Sequence, residues 1–237
     1  MSDKSTTQKK TRKAKGAVIK GVLGLASDLR SVARPKQGRS EATLQRLLDA
    51  AEKLICRDGL AGVSIASIVR EAKSSVGGFY ARFRDKDELL RALHERELGR
   101  INDQVGELLN PERWDGVPLR AIIHALIYAY AENSRGRERL QAAILEATAR
   151  NPDAWAPAFD FRREVTDSVA ALLLMRRDEI THPDPEQAVR FALSQAFAVR
   201  DIRSLYAHTD VVQEVSDEAT SKEMIRSMMA YLTMPNG

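Results

Sequence analysis

The residues best suited to a chemical task lie between Ser64 and Phe83, and the task they suit is contact with a polyanion, not bond-making. Behind Ser64, the residues Ile65, Ile68, Val69 and Ala72 recur on one helical face. Lys73–Ser75 then forms a three-residue turn, and a short further helix is expected to bury Val76, Phe79 and Phe83. Gly77, Gly78 and Ala81 keep the other face small, and Arg82 adds a cation. Two consecutive glycines near a helix start cost about 1 kcal/mol each relative to Ala. That cost makes sense where a backbone must come close to base edges or phosphates. In a helix-turn-helix of this kind the first helix braces across a nucleic-acid backbone while the second lies in the major groove. Enzymatic chemistry has no comparable signature. His94, His124, His182 and His208 are scattered without metal-ligand spacing, no Gly-rich phosphate loop follows a strand, and no nucleophile elbow is visible. The expectation is therefore a non-enzyme without cofactor or metal. The lone Cys56 excludes an intrachain disulfide and a cysteine-rich zinc site, so a reducing compartment, the cytoplasm, is the simplest fit.

The elements that must position these residues are helices throughout. Of 237 residues, 43% are hydrophobic, while Gly (13) and Pro (8) are sparse, which suits an all-α chain with a sizeable core. Ser40 is a plausible N-cap for a helix carrying Leu44, Leu47, Leu48, Ala51, Leu54 and Ile55 at helical spacing, with Gly59 placed to end it. Asp85-Lys86-Asp87-Glu88 resembles a capping box opening a helix that runs to about Leu109. After a break at Asn110–Gly116, further helical patterns cover about Val117–Asn133, Glu138–Arg150, Asp153–Arg176, Asp184–Ala207 and Ala219–Thr233. The expected organisation is a basic N-terminal extension (1–39), a helix-turn-helix domain (40–93) and a helical bundle (94–237).

The net charge of +4 hides an asymmetry. Residues 1–39 hold 11 Lys and Arg against two acids, a net of +9, whereas the remainder carries a net of −5. A basic arm on a mildly acidic body is suited to meeting a polyanion. Ala17–Ser27 is mostly apolar behind a basic run, as in a secretory signal, and the Arg/Lys-rich, acid-poor start resembles a transit peptide, but Lys20 interrupts the apolar run and a nucleic-acid reader follows. No apolar run approaches membrane-spanning length.

Over about Ser40–Leu93 the sequence resembles the TetR family of bacterial transcriptional regulators. Ala72, Ser75, Gly77, Phe79, Tyr80, Arg82, Phe83, Asp85, Lys86 and Leu89 match the family's turn, aromatic pair and following helix, and Asp58-Gly59 with Ser64 match its preceding elements. Two residues depart from the pattern. Lys73 stands where the family has Gly, so a left-handed backbone there is strained and a rearranged turn is one outcome. Ser74 replaces an apolar plug, usually Val. The resemblance implies that Ser64 presents its hydroxyl and helix N-terminus to a phosphate, that Ser75 caps the recognition helix and contacts DNA, and that Tyr80 and Lys86 reach the backbone. It places Val76, Gly77 and Gly78 at base edges, with apolar contact to thymine methyls, and offers Arg82 to phosphate or guanine. Lys73 and Arg39 add cations beside the DNA. It further implies a homodimer on a palindromic double-stranded operator, released by a small-molecule effector.

In the bundle, the helix at 117–133 is apolar nearly all round through Leu119, Ile122, Ile123, Leu126, Ile127 and Tyr130. Arg120, His124 and Tyr128 form one stripe at i, i+4, i+8, which either supplies polar handles to a pocket or faces solvent. Trp114, Trp155, Phe159, Phe161 and Arg162 are further candidates for a pocket wall. The family pairs its last two helices with those of a second subunit, and Phe197 and Met228 stand among the apolar residues of the corresponding segments. The alternative is an effector-independent dimeric or architectural DNA-binding protein whose body only dimerises.

Overall fold

The computed structural model describes residues 38–209 and 215–234. The basic arm as far as residue 37, and the side chain of Arg39, lie outside the described residues. Among the described residues the chain is all helical, with nine α-helices and no strand. The first, α1 (Gly38–Asp58), begins two residues before Ser40, so Ser40 lies inside the helix and does not cap it. Gly59 ends α1 at φ +75°, a conformation open to a residue without Cβ.

Helix α2 (Ile65–Glu71) is capped by Ser64, whose hydroxyl accepts the Ser67 N–H at 3.1 Å while the Ser67 hydroxyl oxygen accepts the Ser64 N–H at 3.0 Å. Helix α3 (Val76–Tyr80) is capped by Ser75, which accepts the Gly78 N–H at 3.0 Å. Helix α4 (Lys86–Leu108) spans 23 residues, about 34 Å. Asp85 caps it through the Glu88 N–H at 2.7 Å, and Glu88 reaches back to the Arg84 N–H, one residue beyond the expected partner.

The body follows as α5 (Leu119–Ser134), α6 (Glu138–Arg150), α7 (Ala156–Leu173), α8 (Pro185–Leu205) and α9 (Asp217–Leu232). The single helix expected over 153–176 is interrupted at both ends by 3-10 turns, Asp153–Trp155 and Leu174–Glu179. Trp155 leaves helical geometry as its ring enters the core, and Pro157 suits the first turn of α7, where no N–H partner is required. Arg176 is kinked (φ −109°, ψ 35°), and its guanidinium donates to the carbonyls of Val117 and Trp114.

Two large apolar clusters hold the chain. One is built on Leu47, Ile55, Ile68, Phe79, Leu89, Leu90 and Leu93, and it continues into the body through Leu140, Ile144, Ala147 and Trp155. The other joins α5, α7, α8 and α9 around Ile122, Ile123, Leu172, Val189, Met224 and Met228. Met228 is thus a core residue, and a charge there would unfold the body before it reported on a subunit interface.

Candidate nucleic-acid interface and body cavity

The helix pair α2–α3 is held from beneath by α1. Phe79 is fully buried, with Phe83 5.4 Å away ring to ring. Arg46 of α1 donates to the carbonyl of Ala72 at the end of α2. Arg82 donates to Gly78 O at 2.8 Å and to the carbonyl and hydroxyl oxygens of Ser40 at 3.2 and 3.1 Å. Its guanidinium therefore clamps α3 to α1 and does not extend freely into solvent.

The turn between α2 and α3 is not rearranged. Lys73 adopts the left-handed conformation at φ +49°, unique for a non-glycine among the described residues. The strain is compensated locally, because the Ser74 N–H reaches Val69 O at 2.8 Å and the Lys73 N–H reaches Arg70 O at 3.2 Å. The Lys73 side chain is exposed.

The outer face of α3 is open. Val76, expected in the core, is instead 50% exposed, and Tyr80 is 56% exposed. Val76 opens α3 one residue after the cap, where its side chain clears the bundle and Phe79 alone makes the anchor. The two glycines differ. A Cβ at Gly77 would meet nothing nearer than the Ser75 hydroxyl at 4.0 Å, whereas one at Gly78 would lie 2.9 Å from the Ser74 hydroxyl. Gly78 has an internal reason to be small, and Gly77 has none among the described residues. Ser64, Ser75 and Gly77 are exposed beside Val76 and Tyr80. Lys86 is half-buried, and its ammonium donates to Val63 O at 2.9 Å and Leu60 O at 3.4 Å, below the N-terminal end of α2.

The body holds a cavity of about 470 Å³ between α4, α5, α6, α7 and α8. Its wall is chiefly apolar and includes Leu98, Ile101, Leu126, Ile144, Val165 and Phe197. Of the eight candidates from the sequence, Phe159, Phe161 and Arg162 line it. The other five do not. Trp114 is buried in the body core, with its indole N–H on Leu108 O. Trp155 belongs to the N-terminal cluster. Arg120 and His124 are exposed, and His124 stacks on Tyr128 at 4.4 Å, because the buried face of α5 is made by Ile122, Ile123 and Ile127. Phe197 faces the cavity and Tyr130, not a free surface.

Sequence reasoning missed the polar groups that do line it, above all His94, Tyr130 and Gln141. Both ring nitrogens of His94 are buried without a hydrogen-bond partner. Burial pushes its pKa down to about 4, so the ring is neutral at pH 7. Burial, reinforced by Asp201, pushes the Tyr130 hydroxyl up to about 12. Helical spacing shows which face of α4 is apolar but not that His94 has a cavity beside it.

A charged cleft connects this cavity to α1. Glu97 of α4 pairs with Arg100 and Arg137, and Arg137 pairs with Glu52 of α1 at 2.9 Å. Arg96 adds bridges to Asp49 and Glu52. Glu97 and Arg137 line both the cleft and the cavity. Cys56 also lines the cleft, and burial, with Glu52 adding to it, raises its thiol to about 11. Among the described residues no group of three or more His, Cys, Asp or Glu could hold a metal ion, and no helix is long and apolar enough to cross a membrane.

Comparison with known proteins adds the following. The family model for bacterial regulatory proteins of the tetR family matches residues 47–93. The nicotine-responsive transcriptional repressor HdnoR of Paenarthrobacter nicotinovorans is 31% identical over 83 residues, 35% of this chain and 41% of that protein. The transcriptional regulator AcrR of Shigella flexneri is 27% identical over 115 residues, 48% of this chain and 53% of that one. The chain thus spans about half or less of the length of these relatives. Among solved structures, a TetR-family regulator from Mesorhizobium loti superposes with a TM-score of 0.65 at 17% identity, covering 83% of this chain and 98% of that one. NalD, described as the secondary repressor of the MexAB-OprM multidrug efflux pump of Pseudomonas aeruginosa, gives 0.58 at 19% identity over 84% and 99%. At these identities the two structures share the fold.

Proposed function

The chain belongs to the TetR family of bacterial regulatory proteins, and on that footing we propose that it is a DNA-binding repressor whose homodimer leaves a palindromic operator when a small molecule fills the body cavity. The observation that carries this reading is the outer face of α3: Ser75, Val76, Gly77 and Tyr80 are exposed on a helix anchored underneath by Phe79 and Arg82. A rigid helix with a small outer face suits close approach to base edges in the major groove. Tyr80, Ser64 and Lys73 flank it as phosphate contacts, with Ser75 at the helix start. Arg82 is assigned to positioning, since three internal oxygens hold its guanidinium.

The cavity supports a sensing role over a body that only dimerises. Helix α4 links the two functions. Leu89, Leu90 and Leu93 sit in the N-terminal cluster, while His94, Glu97, Leu98 and Ile101 of the next two turns line the cavity. A shift of α4 changes the spacing of two recognition helices, which must fit two half-sites at once. Couplings of about 1–3 kcal/mol correspond to roughly 5–150-fold changes in affinity. Two relatives are named as repressors, one of them responsive to nicotine.

Selection of bound duplexes from a random pool, with full-length protein, tests the reading. A palindromic consensus whose half-site centres lie about 34–36 Å apart, or a multiple of that, is expected. Retention of all sequences equally would overturn operator recognition.

A further inference from the structure

Every charged side chain on the cavity wall already has a counter-charge. Arg162 grips Asp201 through two hydrogen bonds, 2.8 and 3.1 Å, and stacks over Phe197. Arg137 is shared between Glu52 and Glu97, and Glu97 between Arg100 and Arg137. A ligand carboxylate or ammonium entering this space loses its hydration and finds no uncompensated partner to offset the loss. The neutral polar groups are similarly engaged. The Ser134 hydroxyl donates to Tyr130 O, Thr148 to Leu145 O, and Gln141 Oε1 accepts the Ser204 hydroxyl.

His94 is the exception. It lines the cavity, and its two ring nitrogens are buried with no partner. A neutral imidazole carries one donor and one acceptor. Leaving both unmade is costly, and a bound molecule that makes either bond recovers part of that cost. A hydroxyl can donate to one nitrogen or accept from the other. The Trp155 ring is the aromatic neighbour of His94, with ring centroids 5.5 Å apart and the planes tilted by 50°.

We propose that the cavity takes an uncharged, largely apolar molecule bearing a hydroxyl group, which hydrogen-bonds His94. The proposal rests on the reading of the cavity as a ligand site and narrows it to one chemical class.

Four probes on one skeleton test it: 4-phenylphenol, biphenyl, biphenyl-4-carboxylate and the 4-trimethylammonium derivative, titrated calorimetrically into the full-length protein. 4-Phenylphenol is expected to bind once per subunit and at least about tenfold more tightly than either charged probe, the loss set by desolvation. His94→Leu is expected to weaken 4-phenylphenol by about tenfold, the worth of one buried hydrogen bond, while biphenyl changes by less than about twofold. His94→Gln, which retains a donor and an acceptor, should restore part of the phenol affinity and guards against a variant that simply packs badly.

Equal or tighter binding of a charged probe overturns the class while leaving the cavity a ligand site, as does phenol affinity indifferent to His94→Leu. Binding of none of the four overturns both statements. Separately, 4-phenylphenol that binds through His94 yet leaves operator affinity unchanged sinks the release mechanism and not the ligand class.

Discussion

At the residue scale, Gly77 and Gly78 are neighbours with different constraints. Gly77 faces open space, so Gly77→Ala should leave the fold intact and even gain up to about 1 kcal/mol of helix propensity. Operator affinity should nevertheless fall, by tenfold or more, if the backbone there lies against DNA. Parallel denaturation and gel-shift titrations separate the two effects, and unchanged DNA affinity would remove Gly77 from the interface. Tyr80→Ala, at an exposed position, should weaken binding to all sequences alike and lower the salt-dependence slope by about one. An unaltered slope would count against a phosphate contact. His94 makes a separate, pH-dependent contribution. Its folded pKa of about 4 lies below the ordinary 6.5, so the unfolded chain binds the proton first as pH falls. Stability from this group is therefore complete above pH 6.5 and is lost between 6.5 and 4, by about 3 kcal/mol at the lower end. Urea unfolding of the wild type and His94→Leu across that window should differ in slope; identical slopes would mean the ring is not buried neutral.

At the element scale, the short helix α3 has few contacts of its own and depends on α1. Five residues cannot sustain a helix in isolation. Phe79 supplies the apolar anchor and Arg82 the polar one, through Ser40. Arg82→Ala should therefore cost operator affinity through misplacement of α3 while leaving the salt slope nearly intact, unlike Tyr80→Ala. A full unit lost from the slope would restore Arg82 to the phosphate contacts. Helix α4 is the other shared element. Glu97 joins the cavity wall to Glu52 of α1 through Arg137, the route by which the proposed effector would act on α1. Glu97→Gln should reduce the factor by which a bound effector lowers operator affinity more than it changes either affinity alone, a quantity read from a double titration.

At the scale of the whole molecule, a dimer requires a face that the fold leaves uncovered. Phe191, Val199 and Ile202 on α8, with Tyr206 just past its end, are all 40% or more exposed and form an apolar stripe along one side of the helix. In the proposed homodimer a second subunit would pair on this stripe and not on Phe197 or Met228. Ile202→Asp should give a folded monomer in sedimentation with lost operator binding; a stable dimer would move the interface elsewhere. The basic arm is a further part of the whole-molecule electrostatics. Residues 1–37 carry ten Lys and Arg against two acids, a net of +8, and their removal should lower both operator affinity and the salt slope. Equal slopes with and without residues 1–37 would assign the arm another role.

Much of this is legible in the amino-acid sequence. Periodicity located the helices to within a few residues, because each must bury one face, and the caps at Ser64 and Ser75 follow from side chains that satisfy free N–H groups at a helix start. The α2–turn–α3 pattern and the family resemblance were equally local, since a recognition helix and its brace lie within twenty residues of chain. What the sequence could not determine depends on residues distant in the chain. Whether Arg82 is free or clamped depends on Ser40, 42 positions away, and whether Lys73 tolerates φ +49° depends on how Ser74 bonds to α2. The cavity is a gap among five helices, so no single periodic face marks it, and the polar stripe of Arg120, His124 and Tyr128 was indistinguishable from a pocket lining until α5 was packed with Ile122, Ile123 and Ile127 inward. A side chain's type and spacing are local properties, whereas its burial and its partners are set by the packing of the whole chain.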